Sequence, residues 1–197
     1  MEAYTEVYNF WFNELSFEDW FKKSSELDET IRSRFERLLQ KSIAGELSDW
    51  RDTAKGALSE IILLDQFSRN IYRDTKEAFA QDSLALCLSQ EAIRKNQHQE
   101  LSAQEKSFLY MPFMHSESKK IHEKALSLFS EKGLENNYDF ELKHKVIIDK
   151  FGRYPHRNEV LGRTSTKEEI EFLKSPDSSF NFFRYKKSPS FDGPSFV

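Results

Sequence analysis

The 197-residue sequence predicts an all-α protein built from antiparallel helical hairpins. Three observations support this fold class. Apolar residues recur at helical spacing along most of the chain, and side chains able to cap a helix N-terminus separate the segments. Only six Gly and five Pro are present, and no segment alternates apolar and polar residues as a half-buried strand does. Eighteen Phe, seven Tyr and three Trp supply large apolar surfaces for a helical core.

Polar side chains that can cap helices divide the first half of the chain. Residues 4–12 form an aromatic segment expected to be helical, and residues 16–19 can cap a short second turn. Asp28 is expected to open a longer amphipathic helix. Ser48 or Asp49 is expected to cap the next helix, which continues to residue 64.

The second half of the chain repeats this pattern. Asp82 is expected to start a helix, and residues 102–105 form a capping box before another helix, which Pro112 is expected to interrupt. Gly152 is suited to the left-handed position that follows a helix. Further helices are expected over residues 118–129, 136–151 and 166–174. Paired helices joined by short turns predict stacked antiparallel hairpins.

Length and composition indicate a broad class of protein. Residues 1–179 are expected to form a single helical domain, and residues 180–197, rich in Ser, Pro and Phe, a flexible or loosely packed tail. The only cysteine, Cys87, is expected to be a buried small hydrophobe and excludes an internal disulfide. No apolar stretch is long enough to cross a membrane. The sequence therefore predicts a soluble cytoplasmic protein, and no feature of it specifies an oligomeric state.

Charge and motif content argue against several functions. The net charge of -4 gives no general reason to expect nucleic-acid binding. Glycine-rich phosphate loops and dinucleotide fingerprints are absent, so no cofactor is predicted. The histidines and their acidic neighbours match no familiar metal motif, so no metal site is predicted either.

Three polar strings near helix ends are the candidates for a ligand site. The first shares one polar face of a helix and comprises Asp65, Gln66, Arg69 and Asn70. The second follows Pro112 and comprises His115, Ser116 and Glu117. The third surrounds a glycine and a proline after a long helix and comprises Arg153, His156, Arg157 and Asn158. Guanidinium groups bind carboxylates and phosphates through paired hydrogen bonds, and residues 143–163 hold six bases against two acids.

The leading hypothesis is a groove that binds a small anionic ligand or the acidic end of a peptide. Its charge-recognising residues would be Arg69, Arg153 and Arg157, and its orienting residues His115 and His156. The expected partner is thus a small anionic ligand, a protein or a peptide, and neither nucleic acid nor a membrane is expected as a partner.

Two further hypotheses stay open at this point. The chain can be a hydrolase in which His115 or His156 acts as base and Glu117 or Asp65 orients that base. Alternatively the polar strings are structural, because arginines can bind helix-end carbonyls and internal acids and so hold hairpins together.

Six motifs follow one another in order along the chain. They are Phe10-Trp11-Phe12, Leu64-Asp65-Gln66-Phe67-x-Arg69-Asn70, Ala78-Phe79-Ala80-x-Asp82, Tyr110-Met111-Pro112-x-x-His115-Ser116-Glu117, Phe151-Gly152-Arg153-x-Pro155-His156-Arg157-Asn158 and Leu161-Gly162-Arg163-x-Ser165-Thr166. In this order they resemble the bacterial DUF924 family, over roughly residues 5–180. That family is similar to tetratricopeptide-like folds, so the resemblance implies a right-handed, tetratricopeptide-like stack of hairpins and no particular activity. One departure is His122, where the family pattern commonly has Gln.

Overall fold

The computed structural model describes residues 3–175 and residue 178. Within these residues the chain is helical and contains no β-strand, so the all-α prediction is confirmed. The α-helices are α1 (Ala3–Asn9), α2 (Phe17–Phe21), α3 (Ser25–Ile43), α4 (Ala54–Ile62), α5 (Ser68–Ile71), α6 (Asp82–Arg94), α7 (Ala103–His115), α8 (Lys119–Phe129), α9 (Glu135–Phe151) and α10 (Lys167–Leu173). Residues 180–197, predicted to form a tail, lie outside the described part of the chain.

Shorter helical turns connect several of these helices. Turns of 3-10 type occupy Ser48–Asp52, Lys76–Phe79, Gln97–Glu100 and Pro155–Arg157. Wider π-helical turns occupy Phe10–Glu14 and Leu63–Phe67. The second π-helical turn joins α4 to α5 without a break, so residues 54–71 form one continuous helical segment.

Helix α4 lies at the centre of the packing and contacts α1, α6 and α7. All its residues from Gly56 to Ile62 are buried. Aromatic rings fill the space between neighbouring helices: the ring centroids of Trp11 and Phe108 lie 5.4 Å apart, and those of Phe35 and Phe67 lie 4.9 Å apart. Burial of one such ring stabilises the fold by about 2–3 kcal/mol, which explains the large aromatic content of the sequence.

Consecutive helices pair along the second half of the chain. Helix α7 packs on α6 and α8, and α8 packs on α9. A second, smaller core of Ile147, Ile148 and Tyr154 forms where α9 ends. This pairing is what the hairpin prediction requires, whereas the right-handed, tetratricopeptide-like arrangement stays a prediction.

Local capping signals are confirmed where both partners lie within three residues of each other. Capping boxes at Ser16, Ser102 and Thr166 open α2, α7 and α10. Gly152 follows α9 with a φ of 69°, as expected of a left-handed C-terminal residue.

Two predicted helix starts are wrong. Helix α3 begins at Ser25, and its N-cap is Ser24, whose side chain accepts a hydrogen bond from the Leu27 backbone N–H. Asp28 is instead drawn into ion pairing with Arg73. The segment that begins at Ser48 forms only a 3-10 turn, and Thr53 caps α4.

Two further predictions fail because packing overrides local preference. Pro112 does not interrupt α7, which continues from Ala103 to His115. One backbone hydrogen bond is lost there, but the helix is buried from Ser107 to Met114, and that packing compensates. Cys87 is exposed, because α6 buries the stripe of Ala85, Ser89 and Ala92 and Cys87 lies off that stripe.

Candidate functional site

A cavity of about 330 Å³, here called the main cavity, gathers residues from all three polar strings. Those that line it are Gln66, Arg69, Asn70, His115, His156 and Arg157. The strings stand up to about ninety residues apart in sequence, so only the packing of α5, α7 and the turn after α9 brings them together. This convergence is the central observation about the site.

The π-helical turn between α4 and α5 positions the first string. Its extra residue per turn lets Asp65 point inward, where only 1% of the residue is exposed. The polar arc of this helix is therefore not a solvated surface. Arg69 follows on α5, and its Nη1 lies 3.3 Å from Asp65 Oδ1, as the i, i+4 spacing predicts.

Two arginines from different strings share one carboxylate. Arg69 Nη2 lies 2.9 Å from Asp82 Oδ1, and Arg157 Nη1 lies 3.1 Å from Asp82 Oδ2. Asp82 is the first residue of α6 and comes from none of the three strings. Because Arg69 also contacts Asp65, Arg157 is the member of this group with the least charge compensation.

Arg157 is a buried cation with unused hydrogen-bonding capacity. Only 7% of its side chain is exposed, and its Nε is buried without a hydrogen-bond partner among the described residues. Its guanidinium lies 4.7 Å from the ring centroid of Phe79 and 4.5 Å from that of Tyr154. Burial lowers the pKa of Arg157, and repulsion from Arg69 adds to this against the opposing attraction of Asp82. An acceptor group placed beside Arg157 would therefore be stabilised.

Asp65 and His115 form a second close pair in this site. Asp65 Oδ1 lies 2.7 Å from His115 Nδ1. Burial alone would raise the pKa of Asp65, but the His115 ring and the Arg69 guanidinium outweigh it and hold that pKa below its ordinary value. Burial and Arg69 in turn lower the pKa of His115. An ionised carboxylate therefore faces a neutral imidazole at neutral pH.

His156 and His144 are also kept neutral in the main cavity. Burial, followed by the charge of Arg157, lowers the pKa of His156 to about 4. Burial lowers the pKa of His144 well below its ordinary value, although its Nδ1 lies 2.8 Å from the Phe140 carbonyl oxygen. His144 is thus a buried histidine whose Nδ1 is bonded to the backbone of its own helix.

Several lining residues escape prediction as site residues from the sequence. The lining of the cavity also includes Lys22, Lys23 and Arg73, together with the aromatic side chains of Trp20 and Phe21. Arg73 lies on the same polar arc as Asp65, which is the signal that could have included it. The lysines give no local signal, because they reach the cavity only through the position of the chain between α2 and α3.

Two of the sequence candidates instead hold the C-terminal segment in place. Arg153 forms a two-point ion pair with Glu169, at 2.6 and 2.8 Å. Asn158 Nδ2 donates to Ser165 Oγ at 3.0 Å. Neither residue lines the main cavity, which agrees with the structural hypothesis for these two positions.

Glu117 also acts mainly as a lock. Its carboxylate accepts hydrogen bonds from Arg163 Nη1 at 2.6 Å and from the Tyr154 backbone N–H at 2.7 Å. Burial raises the pKa of Glu117, but the bond from Arg163 and its neighbours outweigh burial and lower it overall. Ser116 Oγ accepts a hydrogen bond from the Ser118 backbone N–H. Both side chains are therefore engaged in fixing the chain between α7 and α8 and the turn after α9.

A second cavity of about 270 Å³, here called the side cavity, adjoins the first. The two cavities share the side chains of Phe79, His115 and Arg157. Ser116 and Glu117 line only the side cavity. His115, the partner of Asp65, and Arg157, the arginine with the least charge compensation, therefore both lie in the wall that the two cavities share.

Within residues 3–175 and 178, no group of three or more His, Cys, Asp and Glu side chains is arranged to hold a metal ion. His122, which stands where the family pattern commonly has Gln, is fully buried, and its Nδ1 lies 2.6 Å from Glu141 Oε1. None of the described helices combines the length and the apolar character needed to cross a membrane.

Comparison with known proteins places the chain in a family. The model of the family described as bacterial protein of unknown function, DUF924, matches residues 7–177. The solved structure of the protein of unknown function ATU0120 from Agrobacterium tumefaciens is 33% identical, with a TM-score of 0.83. That similarity covers 87% of this chain and 96% of the other. None of the curated proteins matches. The chain therefore belongs to the DUF924 family.

Proposed function

We propose that this protein is a cytoplasmic binding protein that recognises a small anionic ligand in the main cavity, with Arg157 and Arg69 as the charge-recognising residues. The observation that supports this most directly is Arg157, whose guanidinium is buried and shares the carboxylate of Asp82 with Arg69. Among the described residues it forms no other ion pair, and its Nε has no hydrogen-bond partner. A guanidinium has five N–H donors, and leaving them unmet in a buried position is unfavourable. A ligand with several acceptor oxygens would satisfy them.

The charges in and around the main cavity favour an anion. The cationic side chains that line it are Lys22, Lys23, Arg69, Arg73 and Arg157. The carboxylates that pair with them are Asp28, Asp65, Asp74 and Asp82. With the histidines neutral, one positive charge remains uncompensated. Asp65 and Asp82 together balance Arg69 and Arg157, so the excess belongs to Lys22, which is exposed and forms no ion pair among the described residues.

The size and walls of the cavity favour a small molecule over a peptide. Its volume of about 330 Å³ is at the lower end of the range of small-molecule pockets, about 300–1,000 Å³. Trp20, Phe21 and Phe79 supply apolar walls beside the cations. We therefore expect the ligand to combine a phosphate or carboxylate group with a small flat or apolar part.

Isothermal titration calorimetry with phenyl phosphate, inorganic phosphate and benzoate tests this proposal. Arg157→Met is expected to weaken binding of phenyl phosphate about 10- to 100-fold, because a charge-assisted hydrogen bond contributes about 1.5–3 kcal/mol. The matched control is Arg153→Met, which removes the same charge four residues earlier but outside the main cavity. It is expected to leave the dissociation constant within about threefold of wild type. Circular dichroism checks that both variants are folded.

Two results would contradict the proposal. One is that wild-type protein binds none of the three anions at millimolar concentration. The other is that the two arginine variants lose affinity equally, which would place the anion elsewhere. Tighter binding of a short peptide through its terminal carboxylate than of phenyl phosphate would instead favour the acidic-peptide hypothesis.

A further inference from the structure

We propose that the main cavity is also an active site, in which His115 acts as general base and Asp65 positions it, and that it hydrolyses small phosphate monoesters. This inference rests on the proposed anion binding, since Arg157 and Arg69 would hold the phosphate group. It adds a reaction that anion binding alone does not require.

Asp65 and its hydrogen-bonding neighbours fix the orientation of the His115 imidazole. Asp65 is held by its neighbours as well as by His115: Gln66 Nε2 donates to Asp65 Oδ2 at 2.5 Å, and Arg69 Nη1 lies 3.3 Å from Oδ1. The ionised carboxylate accepts the Nδ1–H of His115, which leaves the lone pair on Nε2. A buried carboxylate that fixes the tautomer of a histidine in this way is the arrangement that general-base catalysis uses.

The position of His115 also suits a general base. His115 ends α7 in the wall shared by the two cavities, which Arg157 also lines. Its side chain keeps 12% of its surface exposed, and no hydrogen bond joins Nε2 to another described residue. Burial and Arg69 keep the ring neutral at neutral pH, so the base is in its active form.

His115 differs from the other candidates in the sequence in its carboxylate partner and in its access to a cavity. The hydrolase hypothesis requires a histidine within about 3 Å of a carboxylate and open to a pocket. His115 meets both conditions through Asp65. Glu117, the other acid considered as a partner, is engaged by Arg163 and by the Tyr154 backbone. Among the sequence candidates, the geometry therefore selects the pair of Asp65 and His115.

The oxygens of a phosphate group match the donors of the two arginines. A phosphate monoester dianion presents three terminal oxygens, which can accept hydrogen bonds from two guanidinium groups at once. Arg69 and Arg157 both contact Asp82 and both line the main cavity, so they would face such a group together. They would also stabilise the charge on the equatorial oxygens in the transition state.

The reaction is a single displacement by water. His115 Nε2 accepts a proton from the attacking water as its oxygen forms a bond to phosphorus, and the bond from phosphorus to the ester oxygen breaks. The departing oxygen takes a proton from solvent, and the imidazolium releases its proton to solvent, which returns His115 to its neutral form. The products are an alcohol or phenol and inorganic phosphate, and no oxidant, reductant or second substrate is consumed.

The test is hydrolysis of p-nitrophenyl phosphate by the full chain, with phenyl phosphate binding measured on the same preparations. H115Q is expected to lower kcat at least about 100-fold while the dissociation constant of phenyl phosphate changes less than about threefold. D65N is expected to lower kcat more than it changes KM, because Asp65 positions His115 while Arg69 keeps its ion pair with Asp82. R153M serves as the preparation control and is expected to retain full activity.

A measurement on wild-type protein keeps the proposal testable if the variants fail to fold. Hydrolysis in water enriched in ¹⁸O is expected to place one ¹⁸O in the phosphate product, and label in the phenol would overturn the mechanism. Binding of phenyl phosphate without turnover, or activity unchanged in H115Q, would overturn this inference and leave anion binding intact. Preferential hydrolysis of p-nitrophenyl hemisuccinate would overturn the substrate class. Absence of both binding and turnover would overturn the proposed function as well.

Discussion

Acid is expected to destabilise this protein well before its carboxylates titrate, because three neutral histidines line the main cavity. The pKa values of His115, His144 and His156 are all lowered, in each case chiefly by burial. In the unfolded chain these rings bind protons below about pH 6.5. Over that range the unfolded state binds more protons than the folded state, so stability falls as the pH falls.

His156 gives the magnitude of this effect. Its pKa falls from 6.5 in the unfolded chain to about 4 in the folded protein. Each pH unit between these values removes about 1.4 kcal/mol from the free energy of unfolding. His156 alone therefore lowers that free energy by about 2 kcal/mol between pH 6.5 and pH 5. His115 and His144 act in the same direction. Glu141 partly offsets them, because burial raises its pKa and it stabilises the fold as the pH falls.

Urea unfolding followed by circular dichroism at pH 7.5, 6.5 and 5.0 measures this dependence. H156Q keeps a polar side chain but cannot titrate. The change in its free energy of unfolding over this pH range is therefore expected to be about 2 kcal/mol smaller than that of wild type. A wild-type change below about 1 kcal/mol between pH 7.5 and 5.0 would refute the reasoning. So would an H156Q profile parallel to that of wild type.

Two further predictions concern stability at neutral pH. Arg157→Met is expected to change the free energy of unfolding by less than about 1 kcal/mol in urea titrations, because Asp82 keeps its ion pair with Arg69; a loss of about 3–5 kcal/mol would show that Arg157 is a structural partner. Gly56→Ala is expected to lower that free energy by about 1–3 kcal/mol, because the added Cβ would overlap the carbonyl oxygen of Trp50. An unchanged thermal midpoint in this variant would contradict the close approach of α4 to the preceding turn.

The sequence predicted most successfully those features that depend on residues close together in the chain. The capping boxes at Ser102 and Thr166 are confirmed because donor and acceptor lie three residues apart and need no other element. Asp28 shows the opposite case: it can cap a helix, but a distant arginine, Arg73, engages its carboxylate. The prediction at Pro112 failed because burial of α7 outweighs the loss of one backbone hydrogen bond.

The candidate site was only partly predictable for the same reason. The side chain of Arg157 could be singled out, but not its partner Asp82, which lies 75 residues away. Arg153 has the same chemistry four residues earlier, yet it pairs with Glu169 outside the main cavity. Local composition does not distinguish the two arginines, because the difference between them is the acid that folding brings near each one.

The sequence by itself determined that this chain is helical, where several of its helices are capped and which polar strings could carry a site. Only the tertiary structure decided which members of those strings meet in one cavity and that Asp65 is buried against His115. It also decided that the Nε–H of Arg157 has no hydrogen-bond partner within the described part of the chain. The physical reason is the distance along the chain over which each interaction acts. Helix formation and capping follow from neighbours within one turn, whereas burial, charge compensation and pKa values follow from groups brought together across the whole chain.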